Sequence, residues 1–251
     1  MLKKTEGIVL RNRPHLDADL IVTYLTPSHG ILNLYAKSPR KIGSRFGSSL
    51  EPLTYARISC FGKEQAALPR LTQSDIVRPF NVLRESTDSF IRISEVLELT
   101  LRLLPEREPN RMVFPLLLNM LLSLEREPGN LLYLIFYKLR ILSLAGFAPR
   151  VGHCVRCERI AERFYFSEGS TVCRSCAGTA DGSIELSPPV QRVYNYLMRT
   201  GPATVRRLRL TEEVHSGLEA LINSHINYTV VGKLNTREYA EGLKALSIPI
   251  S

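Results

Sequence analysis

No stretch of this chain stays apolar for long enough to cross a bilayer; the longest runs are Leu116–Leu118 with Met120–Leu122, and Leu131–Tyr137. Nor is the opening Met1-Leu2-Lys3-Lys4-Thr5-Glu6 followed by the apolar core of a secretory signal. These two absences lead to the expectation of a cytoplasmic protein with no membrane partner. Thiols stay reduced in that compartment, so the five cysteines suggest metal ligands or isolated buried thiols and not disulfides. Catalytic signatures are missing too. The histidines are His15, His29, His153, His215 and His225, and no two fall in a His-x-x-x-His pattern. No glycine-rich phosphate loop precedes a helix, and no Gly-x-Ser-x-Gly occurs. The one close acid pair, Asp17 and Asp19, has the chemistry to hold Mg²⁺ in a nuclease and fits a polar turn between strands as well. Nothing supplies a nucleophile, a base and an oxyanion site together, and the expectation is a protein that is not an enzyme. Internal repeats and low-complexity tracts are absent.

Positive charge is what the chain has in excess. Its net charge is +9 at neutral pH, and residues 1–80 hold 12 Lys and Arg against 6 Asp and Glu. The remaining 171 residues hold 21 against 18, so the first third carries most of the surplus. That asymmetry points to an anionic partner for the N-terminal part. Its densest segment is Tyr35 to Arg45, where Lys37, Arg40, Lys41 and Arg45 stand with Pro39 and Gly43 and no acid. Such a segment reads as a basic loop leaving a strand, suited to a phosphate backbone or else merely solvated. Arg11, Arg13 and Arg57 would add charge from strands or their ends. Tyr35 and Phe46 flank the loop and have two roles open to them, stacking on bases or packing in the domain's own core. A smaller cluster, Arg206, Arg207 and Arg209, lies far along the chain.

Residues 1–80 read as short strands. Gly7–Leu10 ends at Arg11-Asn12-Arg13-Pro14, Leu20–Leu25 follows, Pro27-Ser28-His29-Gly30 turns the chain, and Ile31 to Tyr35 makes a third strand. Ala56–Phe61 is a fourth, with Cys60 as a small core residue, and either Ala66–Leu71 or Ser74–Val77 a fifth. Five strands in such a length fit a small barrel of the oligonucleotide-binding (OB) type. After Pro79 the period becomes helical. Thr87 or Asp88 is placed to cap a helix that stops at Leu104-Pro105. Met112 to Leu124 is apolar on nearly every side, and Pro115 makes the helix either begin there or kink. Asn130 is placed to cap a third helix that ends at Gly146, with Lys138 and Arg140 as its only charges. Ser187-Pro188-Pro189 opens a further helix over Val190–Met198, and Glu213–Ile222 is helical.

Cys154-Val155-Arg156-Cys157 and Cys173-Arg174-Ser175-Cys176 match the paired Cys-x-x-Cys pattern of zinc sites. Two residues between thiolates let one tight turn aim both sulfurs at a single ion, and two such turns complete a tetrahedron. With Cys154, Cys157, Cys173 and Cys176 as ligands no coordination position stays open, so a bound Zn²⁺ would be structural. Phe164-Tyr165-Phe166 and the Glu168-Gly169 turn read as a hairpin between the two pairs. Arg156 and Arg174 would soften the charge of four thiolates, and His153 is the neighbouring rival ligand.

Glu6-Gly7-Ile8-Val9-Leu10-Arg11, Asp17-Ala18-Asp19-Leu20-Ile21-Val22, Thr26 with His29-Gly30, Ala36-Lys37 and Leu50-Glu51-Pro52-Leu53 together resemble the N-terminal domain of the RecO DNA-repair family. Ala145-Gly146-Phe147-Ala148-Pro149, just ahead of the first cysteine pair, is similar to the same family's approach to its zinc module. Two places differ: the loop Ser38–Gly43 is less rich in Arg, and Glu158 stands where Gly commonly follows the second Cys. The resemblance implies an α+β multidomain protein, with an N-terminal OB-fold β-barrel and then an α-helical domain holding an embedded four-cysteine zinc module. The boundaries expected are 1–80 for the barrel, 81–150 for the helical domain, 151–180 for the zinc module and 181–251 for a C-terminal helical part packing on 81–150. It further implies a recombination mediator acting at the nucleoid. Such a protein binds single- and double-stranded DNA, anneals complementary strands and works with a RecR-like mediator. It meets single-stranded-DNA-binding protein and helps load RecA recombinase. A zinc-ribbon and OB-fold factor acting on RNA in transcription or translation, a metal-dependent nuclease using Asp17 and Asp19, and an adaptor binding only protein are the alternatives.

Overall fold

Strand β1 (Leu2–His15) runs well beyond its apolar centre because it serves two partners. Its first half, from Leu2 to Ile8, pairs antiparallel with β4 (Tyr55–Phe61). Its second half, from Ile8 to His15, pairs with β2 (Asp19–Thr26), interrupted by a bulge between Val9 and Arg11. Arg11–Pro14, expected to end the strand, is held in it by the cross-strand partners that β2 supplies. Strand β3 (Gly30–Ala36) pairs with β2, and β5 (Arg70–Arg78) pairs with β4. The fifth strand thus contains Ser74–Val77. A short parallel contact between β3 and β5 closes a five-stranded barrel in the order β1-β2-β3-β5-β4. The computed structural model describes residues 2–39, 44, 46–63, 67–178, 182–230 and 234–239.

Alternate residues fill the barrel: Val9, Val22, Tyr24, Leu34, Ala36, Ile58, Cys60 and Leu71 form one buried cluster. Cys60 is therefore the small core residue expected. Two compact units divide the chain, Met1–Pro128 and Gly129–Ser251. Helices α1 (Val82–Glu85), α2 (Thr87–Leu103) and α3 (Val113–Arg126) belong to the first, with the barrel. The cap of α2 is Ser86, whose hydroxyl accepts from the Ser89 N–H at 3.3 Å, and not Thr87 or Asp88. Pro115 lies in the first turn of α3, where a missing N–H removes no helical bond, so the helix starts at Val113 without a kink there. Beyond α2, the Arg107 N–H donates to the Ile31 carbonyl at 2.9 Å, which lays residues 106–108 along β3. The Arg78–Glu125 ion pair at 2.7 Å and the edge-on Tyr55–Phe114 rings at 5.9 Å fix α3 to the barrel.

In the second unit, α4 (Leu132–Leu144) is buried on almost all sides. Its two charges are both engaged: Lys138 Nζ donates to Asn223 Oδ1 at 3.2 Å, and Arg140 donates to the carbonyls of Met198 and Thr200 at 2.9 and 3.1 Å. Its N-cap position is Leu131, one residue past Asn130, and no side chain caps it. Then come two short sheets, β6 (Gly152–His153) with β7 (Ile160–Ala161), and β8 (Arg163–Tyr165) between β9 (Ser170–Thr171) and β10 (Ser183–Glu185). The β8–β9 pair is the hairpin expected between the cysteine pairs. Helices α5 (Pro188–Arg199), α6 (Pro202–Val205) and α7 (Glu212–Thr229) complete the unit. The last extends a full seven residues beyond Ile222, because Leu221, Ile222, His225 and Ile226 keep an apolar stripe turned inward. Among the described residues, no helix is long and apolar enough to cross a membrane.

Candidate nucleic-acid interface and cysteine cluster

Residues paired across a sheet point to the same face. One such row runs Arg13, Ile21, Tyr35, Arg70 across β1, β2, β3 and β5. Neighbouring rows add Arg11 opposite Thr23, and His15 opposite Asp19. Since Val22 and Leu34 point into the barrel, all of these lie on its outer side, where Ile21 and Thr23 are nevertheless buried. Arg11, Arg13, Lys37 and Arg70 are exposed, and none of them is ion-paired among the described residues. The sequence drew attention to the first three; Arg70 it did not, because its neighbours in space lie on a strand it meets in parallel.

Tyr35 and Asp19 organise the root of the basic loop. The Tyr35 hydroxyl donates to Asp19 Oδ2, and the Ser38 N–H donates to Asp19 Oδ1 at 2.6 Å. The bond from Tyr35, and after it the bond from Ser38, hold the Asp19 carboxyl below the usual carboxylate range. The same bond pushes the Tyr35 phenol up. Both oxygens of Asp19 are thus engaged in structure, as a polar turn residue's would be, which argues against a nuclease ion held with Asp17. The Tyr35 ring stands edge-on to His15 at 5.8 Å and is half-buried.

Five of the expected contact residues stand apart from this group. Arg40, Lys41 and Arg45 lie outside the described residues. Phe46 is 3% exposed within the barrel cluster, so of its two roles the structure shows packing, and base stacking by this ring is corrected. Arg57 sits on β4 between Glu6 and Asp75 in register, with its Nε 3.8 Å from Glu6 Oε1. Acids on either side offset its charge and set it apart from the row through Arg13 and Arg70.

The cysteines converge. The ligand atoms of Cys154, Cys157, Cys173 and Cys176 all lie within 4.8 Å of one another, at the tips of two tight turns. Cys157 Sγ and Cys173 Sγ are 3.5 Å apart. The first turn is closed by Glu158 N–H to Cys154 O at 2.9 Å and Cys154 N–H to Arg159 O at 2.7 Å. Glu158 takes φ of +62°, the left-handed conformation for which a glycine is the easier residue. Arg156 spans the cluster, donating to the Cys176 carbonyl at 2.8 Å and to Glu168 Oε1 at 2.6 Å. His153 is exposed and outside the group. Left to themselves, four thiols this close cannot all ionise. The hydrogen bond with the Ser175 hydroxyl helps draw Cys173 down to about 6, while the adjoining Cys157 and Cys173 push Cys176 up to about 12. A divalent cation with a taste for sulfur removes that conflict, and the donor set suits one.

Comparison with known proteins decides the family. Residues 1–80 match the family model described as Recombination protein O N terminal, and residues 88–238 match Recombination protein O C terminal. The chain belongs to the RecO family. It is 42% identical over 249 residues to the DNA repair protein RecO of Thermodesulfovibrio yellowstonii, covering 96% of this chain and 98% of that protein. With the DNA repair protein RecO of Dehalococcoides mccartyi it shares 29% over 232 residues, 90% of each chain. With that of Koribacter versatilis it shares 38% over 168 residues, 66% of this chain and 68% of the other. The RecO family is one of recombination and repair proteins and not of enzymes in the usual sense. The chain's five-stranded barrel, the helical region after it and the clustered cysteines agree with the fold class expected from sequence, while the two compact units divide at 128/129 and not at the expected boundaries of 80 and 150.

Proposed function

We propose that the outer barrel face carrying Arg11, Arg13, Lys37 and Arg70 follows the sugar–phosphate backbone of single- and double-stranded DNA. The observation that carries this reading is a set of exposed cations on one outer face of the barrel, Arg11 and Arg13 on β1, Lys37 just past β3 and Arg70 on β5, with no ion pair among the described residues, on a chain whose relatives are named DNA repair proteins. Arg40, Lys41 and Arg45 would extend the surface from the loop, and Tyr35 offers an aromatic edge beside it. Contacts to backbone instead of base edges leave the edges free to pair. Cations that neutralise two repelling strands then favour annealing, and this is the activity we assign. In the cell the protein would act at the nucleoid with a RecR-like mediator and single-stranded-DNA-binding protein, helping RecA recombinase onto coated strands. The four cysteines would hold a structural Zn²⁺, which fixes the two turns and takes no part in strand binding at the barrel.

Fluorescence anisotropy of a labelled single strand, repeated over a salt series, tests this. With about four to six phosphates neutralised, log K should fall against log salt with a slope of about −3 to −4. A slope near zero would reject the electrostatic contact, and stronger binding to an RNA of the same sequence would move the substrate from DNA to RNA.

A further inference from the structure

The second unit contains a groove of about 570 Å³ between the β6–β7 hairpin and α5. Helix α5 turns Val190, Tyr194 and Leu197 inward. On its other side Arg192, Asn195, Tyr196 and Arg199 recur at intervals of three and four residues, so they form one stripe along the groove. Arg192 and Arg199 are exposed, and neither has an ion pair among the described residues. Tyr196 between them is 45% exposed, and across the groove Ile160 is 79% exposed at the edge of β7. Gly152 takes φ of +110°, a conformation that glycine adopts most readily, and it faces Asn195 of α5, whose Nδ2 lies 3.4 Å from where a Cβ would stand, an ordinary contact distance. Glu162 is the one acid among the described lining residues.

We infer that this groove is a second site for single-stranded nucleic acid, in which a base stacks on Tyr196 and flanking phosphates meet Arg192 and Arg199. The inference rests on the nucleic-acid reading above and adds a place on the molecule which that reading does not use. Three features select a strand as occupant. The groove is open to solvent; among the described residues it carries two guanidinium groups with no ion pair against a single carboxylate; and its exposed ring lies between those two groups along the helix. This is the combination of stacking platform and basic track on which strands are held without regard to sequence. Ile160 offers the opposite wall a flat apolar contact for the second face of a base.

The chain contains no tryptophan. Tyr196→Trp therefore places a single indole emitter in the groove while keeping an aromatic platform there. Titrating full-length Y196W with short oligothymidylate should quench its emission, saturating together with the anisotropy of the labelled strand. In the otherwise native chain, Arg192→Gln with Arg199→Gln should make the salt slope shallower by about 1.4, two phosphates at about 0.7 each. Tyr196→Ala should weaken binding by roughly five- to 150-fold, the fold-change equivalent to one stacked base, and Tyr196→Phe should restore it. Full binding by anisotropy with unchanged Y196W emission and an unchanged slope in R192Q/R199Q would overturn the groove alone. Quenching by an acidic peptide but not by oligothymidylate would overturn it in favour of a protein interface. Absence of any salt-dependent binding by the wild-type chain would overturn the groove and the barrel reading together.

Discussion

Replacing Gly30 by alanine tests how firmly the segment after α2 is seated on the barrel. Gly30 has φ of +62°, and a Cβ there would lie 2.1 Å from the carbonyl oxygen and 2.7 Å from the carbonyl carbon of Glu108. Both atoms are backbone, so no rotamer change relieves the clash and residues 106–108 must retreat. Gly47, in the same unit, has φ of +49° and nothing within 4 Å of the added carbon. Gly47→Ala therefore carries only the left-handed strain, about 1–2 kcal/mol, less about 0.4–1 kcal/mol regained by restricting the unfolded chain. Gly30→Ala carries the same terms and in addition loses the Arg107 N–H to Ile31 bond of 2.9 Å, worth about 0.5–1.5 kcal/mol, and disturbs the Asn33–Glu106 bond of 2.7 Å. We expect G30A to be less stable than G47A by roughly 1–3 kcal/mol in urea melts, from the bond terms and the displaced contacts together. Amide hydrogen exchange at Arg107 should quicken in G30A and not in G47A. Equal melts for the two variants, with the Arg107 amide equally protected, would refute the close approach of Glu108 to this turn.

Other outcomes are expected from the same geometry. Alanine at Arg11, Arg13, Lys37 and Arg70 together should reduce the salt slope for single strands by about 2.8 without base preference, each change costing no more than about 0.5 kcal/mol of stability; an altered base preference would contradict backbone contact. Phe46→Ala should destabilise the barrel by about 3–5 kcal/mol, whereas Phe46→Leu should keep strand affinity, as measured by melts alongside anisotropy. Stripping metal with a chelator should lower the melting temperature of the second unit by calorimetry; loss of barrel-mediated binding with the fold intact would contradict a structural role. His225 donates from Nε2 to the Phe147 carbonyl at 2.8 Å, and burial lowers its pKa from the ordinary 6.5 although that bond opposes the shift. The unfolded chain then binds the proton more readily. The contribution of His225 is whole above about 6.5 and is lost as pH falls from there through the lower folded value. Melts of the wild type should show this acid-side loss, and His225→Gln should flatten it.

What the sequence makes legible here is local. Apolar alternation marks Leu20–Leu25, helical spacing marks α2, α3 and α5, and two Cys-x-x-Cys turns need only their own geometry to aim at one point. What it conceals depends on partners far along the chain. Arg11–Pro14 looks like a loop until β2 supplies a ladder, and Arg70 looks unremarkable until β5 meets β3 in parallel. Arg57 counts as a free cation in a tally of charges, yet register brings Glu6 and Asp75 to it from two other strands. Phe46 misleads by adjoining the basic loop; its spacing of four from the buried Leu50 was the available sign that it turns inward. The groove beside α5 was half visible, since Arg192, Tyr196 and Arg199 share a helical face, but only folding sets Ile160 across from them.

The cylinder is sewn shut at one stitch. Among the described residues, β3 and β5 share a single register pair, Tyr35 with Arg70, backed by the Tyr35 N–H to Pro69 carbonyl bond of 2.9 Å. Every other seam runs for five pairs or more of residues. A polyanion lying over Arg13 and Arg70 would act as a clasp across that join. Occupancy and barrel closure would then reinforce each other, so that the Tyr35 amide exchanges more slowly in the loaded protein than in the free one.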